Sequence, residues 1–157
     1  MLLSYFLMFA SVLLLLINGM QGYLNFKIYN ATHIQFAFIS TIFYMFTESW
    51  VMFYFIGSGK TIKETIINFK LDKKLYQEVI SSKKKVFPHI TLNILLIGTV
   101  FVIGGGVHTK AISKSFHGWL FIFSMLHFFY TIKLQHIAFK DTAAMLSKLG
   151  KLIEGEK

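Results

Sequence analysis

Four long, predominantly apolar runs limit what this chain can fold into: residues 1–17, 34–56, 87–107 and 118–139. Each is close to the roughly 20 residues a helix needs to cross a bilayer core. Backbone groups facing lipid must be satisfied internally, which leaves helices or closed barrels. The runs are continuous rather than alternating, which selects helices. With 55% hydrophobic residues the chain is also richer in them than an ordinary soluble domain, at about 45–50%. The expectation is an all-α integral membrane four-helix bundle, one domain over residues 1–157. Its spans are placed at about 1–19, 33–57, 87–107 and 117–139. A cytoplasmic amphipathic helical loop occupies 58–86 and a cytoplasmic tail 140–157. The first run lacks a basic leader, since the first charged side chain is Lys27. Residues 18–22, NGMQG, offer no A-x-A cleavage site, so it reads as a retained span; cleavage would leave three helices.

The lysines give the orientation. The second connection carries Lys60, Lys63, Lys70, Lys73, Lys74, Lys83, Lys84 and Lys85. Lys133, Lys140, Lys148, Lys151 and Lys157 follow in the last stretch. The other two connections hold only Lys27, Lys110 and Lys114. Positive charge stays cytoplasmic, so both termini and the middle connection are placed inside. Tyr23, Tyr29 and Trp119 then sit at the outer headgroups, and Tyr54 and Tyr130 at the inner ones. The net charge of +9 follows from this topology and from anionic inner-leaflet lipid. Nothing suggests a nucleic-acid surface. The absence of cysteine excludes disulfides and thiolate chemistry.

The stretch FIGSGKT, residues 55–61, imitates a phosphate-binding loop. The P-loop pattern wants a glycine at position 54, which is Tyr54, and a buried strand before it. A transmembrane helix precedes it instead, so no nucleotide is expected. Gly57 and Gly59 read as the place where the second span leaves the hydrocarbon. Beyond them Ile62, Ile66 and Phe69 share a helical face among lysines. That pattern predicts a basic amphipathic helix on the cytoplasmic membrane surface, or one docked on a cytoplasmic partner at 60–86. Pro88 then opens the third span.

Ionisable groups inside a span are expensive and are functional candidates by default. Counted by helical rise, Glu48 and His127 fall near the centre of their spans and are expected to pair across the bundle. The pair reads as interhelical glue, a proton relay or part of a metal site. The remaining histidines sort by depth. His33, His108 and His117 lie at the outer face, His89 and His136 at the inner face. Two histidines at one depth on different helices are what bis-imidazole haem ligation needs. His33 with His117 is the first candidate pair for haem b, and His89 with His136 the second. His33, His108 and His117 together form a candidate outer-face copper or zinc site. Gly104–Gly106 beside His108 suit either close approach of a flat ligand or a flexible helix exit. The acceptor pattern Asn30-Ala-Thr32 abuts a span and is set aside, and no internal repeat suggests a transporter.

The segments MFYFIGSGKTIKE, VFPHITLNILL, FVIGGGVHT and HGWL resemble small bacterial four-span membrane proteins. In general plan the chain is similar to the membrane anchor subunits of succinate dehydrogenase and to small b-type cytochromes. The arginine beside those anchors' haem histidine has no counterpart here. The resemblance implies a subunit of a larger assembly in the bacterial inner membrane, with the bilayer and other subunits as partners and b-type haem as cofactor. Two other readings stand beside it: a cofactor-free accessory protein recruiting a cytoplasmic partner, and the outer-face copper or zinc protein. An enzyme acting alone is not expected, since no nucleophile–base or carboxylate pair stands out.

Overall fold

The computed structural model describes residues 1–28 and 30–155. Tyr29, expected at the outer headgroups, and residues 156–157 of the tail lie outside the described residues. The chain forms four helices, α1 (Leu2–Leu24), α2 (His33–Asn68), α3 (Lys74–His108) and α4 (Lys114–Gly155). An isolated bridge between Ile28 and Ala31 is the only sheet-like pairing among the described residues. The helices run up, down, up and down, and α2 touches all three others.

Three of them, α1, α2 and α3, are long and apolar enough to cross a membrane. The fourth is not in that set, although its apolar run predicts a span. His117, His127, Lys133, Gln135 and His136 interrupt its apolar stretch.

The buried faces follow the alternating three- and four-residue steps of bundle packing. On α2 the stripe is Tyr44, Glu48, Val51, Phe55, Gly59, Ile62 and Ile66. On α4 it runs through Ser124, Phe128, Thr131, Gln135, Ala138, Thr142, Met145 and Leu149. These stripes meet in three layers. Near the middle, Met8 packs with Val51, Phe55, Val86, Ile90, Ala138 and Phe139. Towards the α1–α2 turn, Leu15, Tyr44, Ile97, Met125 and Phe128 form a second layer. At the opposite end Ile62, Ile66, Leu75, Val79, Met145 and Leu149 form the third, to which α1 contributes nothing. The molecule is therefore a four-helix bundle continued by a three-helix extension of α2, α3 and α4.

The extension corrects the expectation for 58–86. Helix α2 passes Gly57 and Gly59 unbroken, and α3 starts at Lys74, so Pro88 lies inside α3 instead of opening it. Ile62 and Ile66 do not face a membrane surface. Their apolar face is covered by α3 and the end of α4, leaving Phe69 half exposed. Lys83 lies along α2 over Gly59, where there is no side chain to displace it. Partial burial there lowers the pKa of its ammonium.

The four-helix part differs from a soluble domain in placing polar side chains between its helices and large apolar ones on its surface. Ser11, Thr47, Glu48, Asn93, Thr131 and Gln135 are buried, whereas Phe6, Phe9, Phe53, Leu95, Val102 and Trp119 are exposed.

Candidate functional site

The end of the bundle at the α1–α2 turn holds a cavity of about 490 Å³. It is lined by all four helices, including Leu15, Asn18, Phe101, Phe121, His33 and His117. His33 is the first residue of α2, held there by a capping box: the Thr32 backbone N–H donates to Gln35 Oε1 at 2.9 Å. His117 lies in the first turn of α4. Antiparallel packing therefore brings two helix starts to one end. The rings stand edge to face, 6.4 Å between centroids and 74° between planes.

Small residues make this approach possible. A Cβ on Gly22 would meet the His33 ring at 3.0 Å, and one on Gly104 would meet the His117 ring at 3.3 Å. Gly19 lies under Phe121 and Gly118 under the Tyr23 hydroxyl. Gly104 thus makes room for an imidazole within α3, which ends only at His108 with Lys110 in the left-handed region. The His33 ring packs on Gly22 of α1 and the His117 ring on Gly104 of α3. The Nδ1 atom of each is buried without a partner. Asn18 Oδ1 and Gln21 Oε1 on α1 are buried in the same way.

His108 does not join them. It is exposed, and no group of three His, Cys, Asp or Glu side chains suited to a metal ion exists among the described residues. The expected partners elsewhere are also exchanged. His89 and His136 do not meet: His136 is bonded to the Tyr5 hydroxyl at 2.8 Å, while His89 lies against His127. His127 and His136 are nine residues apart, about 900° of rotation, so they leave α4 on opposite faces. Glu48 does not pair with His127. Its Oε2 accepts from Gln135 Nε2 at 2.6 Å, and its Oε1 has no partner. Gln135 belongs to the buried stripe of α4, whereas His127 sits one residue before Phe128, off the stripe and turned towards α3. There His127 Nδ1 bonds Asn93 Oδ1 at 2.7 Å, and Asn93 Nδ2 donates to the Tyr44 hydroxyl at 2.6 Å.

The sequence alone does not single out Asn93, Gln135 or Tyr44. Asn93 interrupts the apolar run TLNILLIG, and that single polar residue was the available signal. Comparison with known proteins finds no family model, no curated protein and no solved structure that matches this chain.

Proposed function

We propose that this chain is an integral membrane protein holding a b-type haem between His33 and His117, and that it serves as an electron-transfer subunit of a larger assembly in the bacterial inner membrane. The observation that carries the reading is the meeting of two histidine rings from α2 and α4 in the lining of one cavity. Two imidazole nitrogens each about 2.0–2.1 Å from one metal stand about 4 Å apart, which puts the ring centres roughly 6 Å apart. The rings here are 6.4 Å apart. Haem supplies a one-electron couple when so ligated. The residues of this chain seat the two rings close against α1 and α3 through Gly22 and Gly104 and wall the site with Leu15, Phe101 and Phe121.

Membrane placement draws on the polar groups between the helices and the large apolar side chains on the surface. In a bilayer the favourable arrangement is polar groups between helices and apolar ones outwards. This extends the reading to α4, whose polar residues Ser124, Thr131 and Gln135 are buried while Trp119, Phe123, Leu126 and Phe129 are exposed. The lysine-rich extension would lie in the cytoplasm and the haem site near the outer surface.

The test is a reduced-minus-oxidised spectrum with iron analysis on one preparation in mild detergent. The reading expects a b-type α-band and one iron per chain, lost in His33→Ala and in His117→Ala. An unchanged spectrum in both variants would end the assignment. A second reading, a cofactor-free accessory protein, draws on the exposed Lys60, Lys63, Lys70, Lys73, Lys74, Lys84 and Lys85 around the extension. It expects no iron and loss of a co-purifying partner when these lysines are replaced by glutamine.

A further inference from the structure

Glu48 is the one acidic side chain of the four-helix part, and it is fully buried. The other described acids, Glu64, Asp72, Glu78, Asp141 and Glu154, are exposed on the extension. Along α2 it stands between Tyr44 of one core layer and Val51 of the next. No basic side chain pairs with it; among the described residues the ion pair is Lys60 with Glu64, out on the extension. An ionised carboxylate in this place would be a bare charge among apolar neighbours, the costliest form a buried group can take.

Its partner points to the neutral form. Gln135 Nε2–H donates to Glu48 Oε2 at 2.6 Å, while Glu48 Oε1 and Gln135 Oε1 are both buried without a partner. A carboxylate oxygen and an amide oxygen only accept, so the two have nothing to offer each other. A proton on Glu48 Oε1 changes that. The acid can then donate to the amide oxygen while the amide donates to the acid, and one added atom serves both orphaned acceptors. The titratable groups around Glu48 are engaged elsewhere. Tyr44, one turn back on α2, accepts from Asn93, and His127 of α4 is bonded to Asn93 as well. His89 of α3 lies against His127, and Lys83 lies over Gly59, about three turns along α2 from Glu48. Lys133 of α4 is exposed. Helix α1 carries no charged side chain; its Tyr5 is bonded to His136 and its Ser11 to Thr47.

We infer that Glu48 is a proton-binding site inside the bundle, its carboxylic acid paired with the Gln135 amide as both donor and acceptor, and that the bound proton fastens α2 to α4. Loss of that proton to solvent removes the donated hydrogen bond. It also sets a carboxylate oxygen against the amide oxygen and leaves a charge without a counter-ion. Helices α2 and α4 are therefore held together while the proton is bound and pushed apart when it leaves. This site is separate from the haem reading, because His33 and His117 meet at the end of the bundle beside the α1–α2 turn.

The experiment is infrared spectroscopy of the full chain in lipid vesicles at neutral pH, with helicity checked by circular dichroism. The wild type should show the carbonyl band of a protonated carboxylic acid, one group per chain, and Glu48→Gln should lack it. In Gln135→Leu the band should move to higher frequency, because the acid carbonyl loses its amide donor. The proton-bound form is the one the fold favours, so stability is lost as rising pH removes the proton. Raising the pH until the band disappears should therefore lower the melting temperature of the wild type more than that of Glu48→Gln. Glu48→Gln keeps a donor–acceptor pair with Gln135, so it carries the test even if Gln135→Leu does not fold. No acid band in the wild type, the same band in Glu48→Gln, an unmoved band in folded Gln135→Leu or equal alkaline losses of stability would each overturn the inference.

Discussion

Glu48 is fully buried and its polar contact is the Gln135 amide. Removing that amide strands a carboxyl group among apolar neighbours, whereas replacing the carboxyl by an amide keeps a donor–acceptor pair. Gln135→Leu should therefore cost about 1–3 kcal/mol, and Glu48→Gln should be nearly neutral. Thermal unfolding in detergent checks the contrast, and equal losses would mean that Gln135 does not support Glu48. Residues of this kind were half legible in the sequence. Glu48 and His127 stood out because apolar runs surround them, but their partners depended on helical phase and on neighbours of α2 that depth counting ignores. The meeting of His33 with His117 was readable because both open a helix in an up-down bundle, where helix starts return to one end.

At the scale of the element, the helix ends are built from unexpected residues. Helix α2 closes with Leu71 N–H donating to the Ile66 carbonyl and Lys70 N–H to the Ile67 carbonyl, and Lys70 has φ 51°. That is a Schellman end with lysine where glycine is usual. Leu71 packs back on the layer containing Ile66. Lys70→Gly removes the left-handed penalty and should stabilise the protein by roughly 1 kcal/mol. The opposite sign is expected at Gly19, where an added Cβ would stand 2.5 Å from Phe121. Gly19→Ala should lower the melting temperature, and a gain there would contradict the packing of α1 on α4. The helices themselves were legible as apolar runs. Their lengths were not, since glycines at 57, 59 and 104–106 and the proline at 88 look like ends. Tertiary cover for Ile62, Ile66 and Val79 outweighs those local signals and carries α2 and α3 through.

For the whole molecule, the reading places one end in the cytoplasm and the other outside. The chain has no cysteine, so single replacements report on it without background. In intact cells Lys70→Cys should resist a membrane-impermeant maleimide and Lys110→Cys should react with it. The reverse pattern would invert the topology. Fold class was open to sequence reasoning because continuous apolar runs admit few architectures. The three-helix extension was hidden because it needs the end of α4 beside α2 and α3, a long-range contact that no local pattern encodes.

The central claim is that His33 and His117 bind one haem iron, and electron paramagnetic resonance of the oxidised protein tests it most directly. Two imidazoles with planes 74° apart should give a strongly anisotropic low-spin ferric signal. The account predicts that signal in the wild type and its loss, or conversion to high spin, in His33→Ala and His117→Ala. A wild-type preparation retaining its partners and showing no low-spin ferric iron would contradict it.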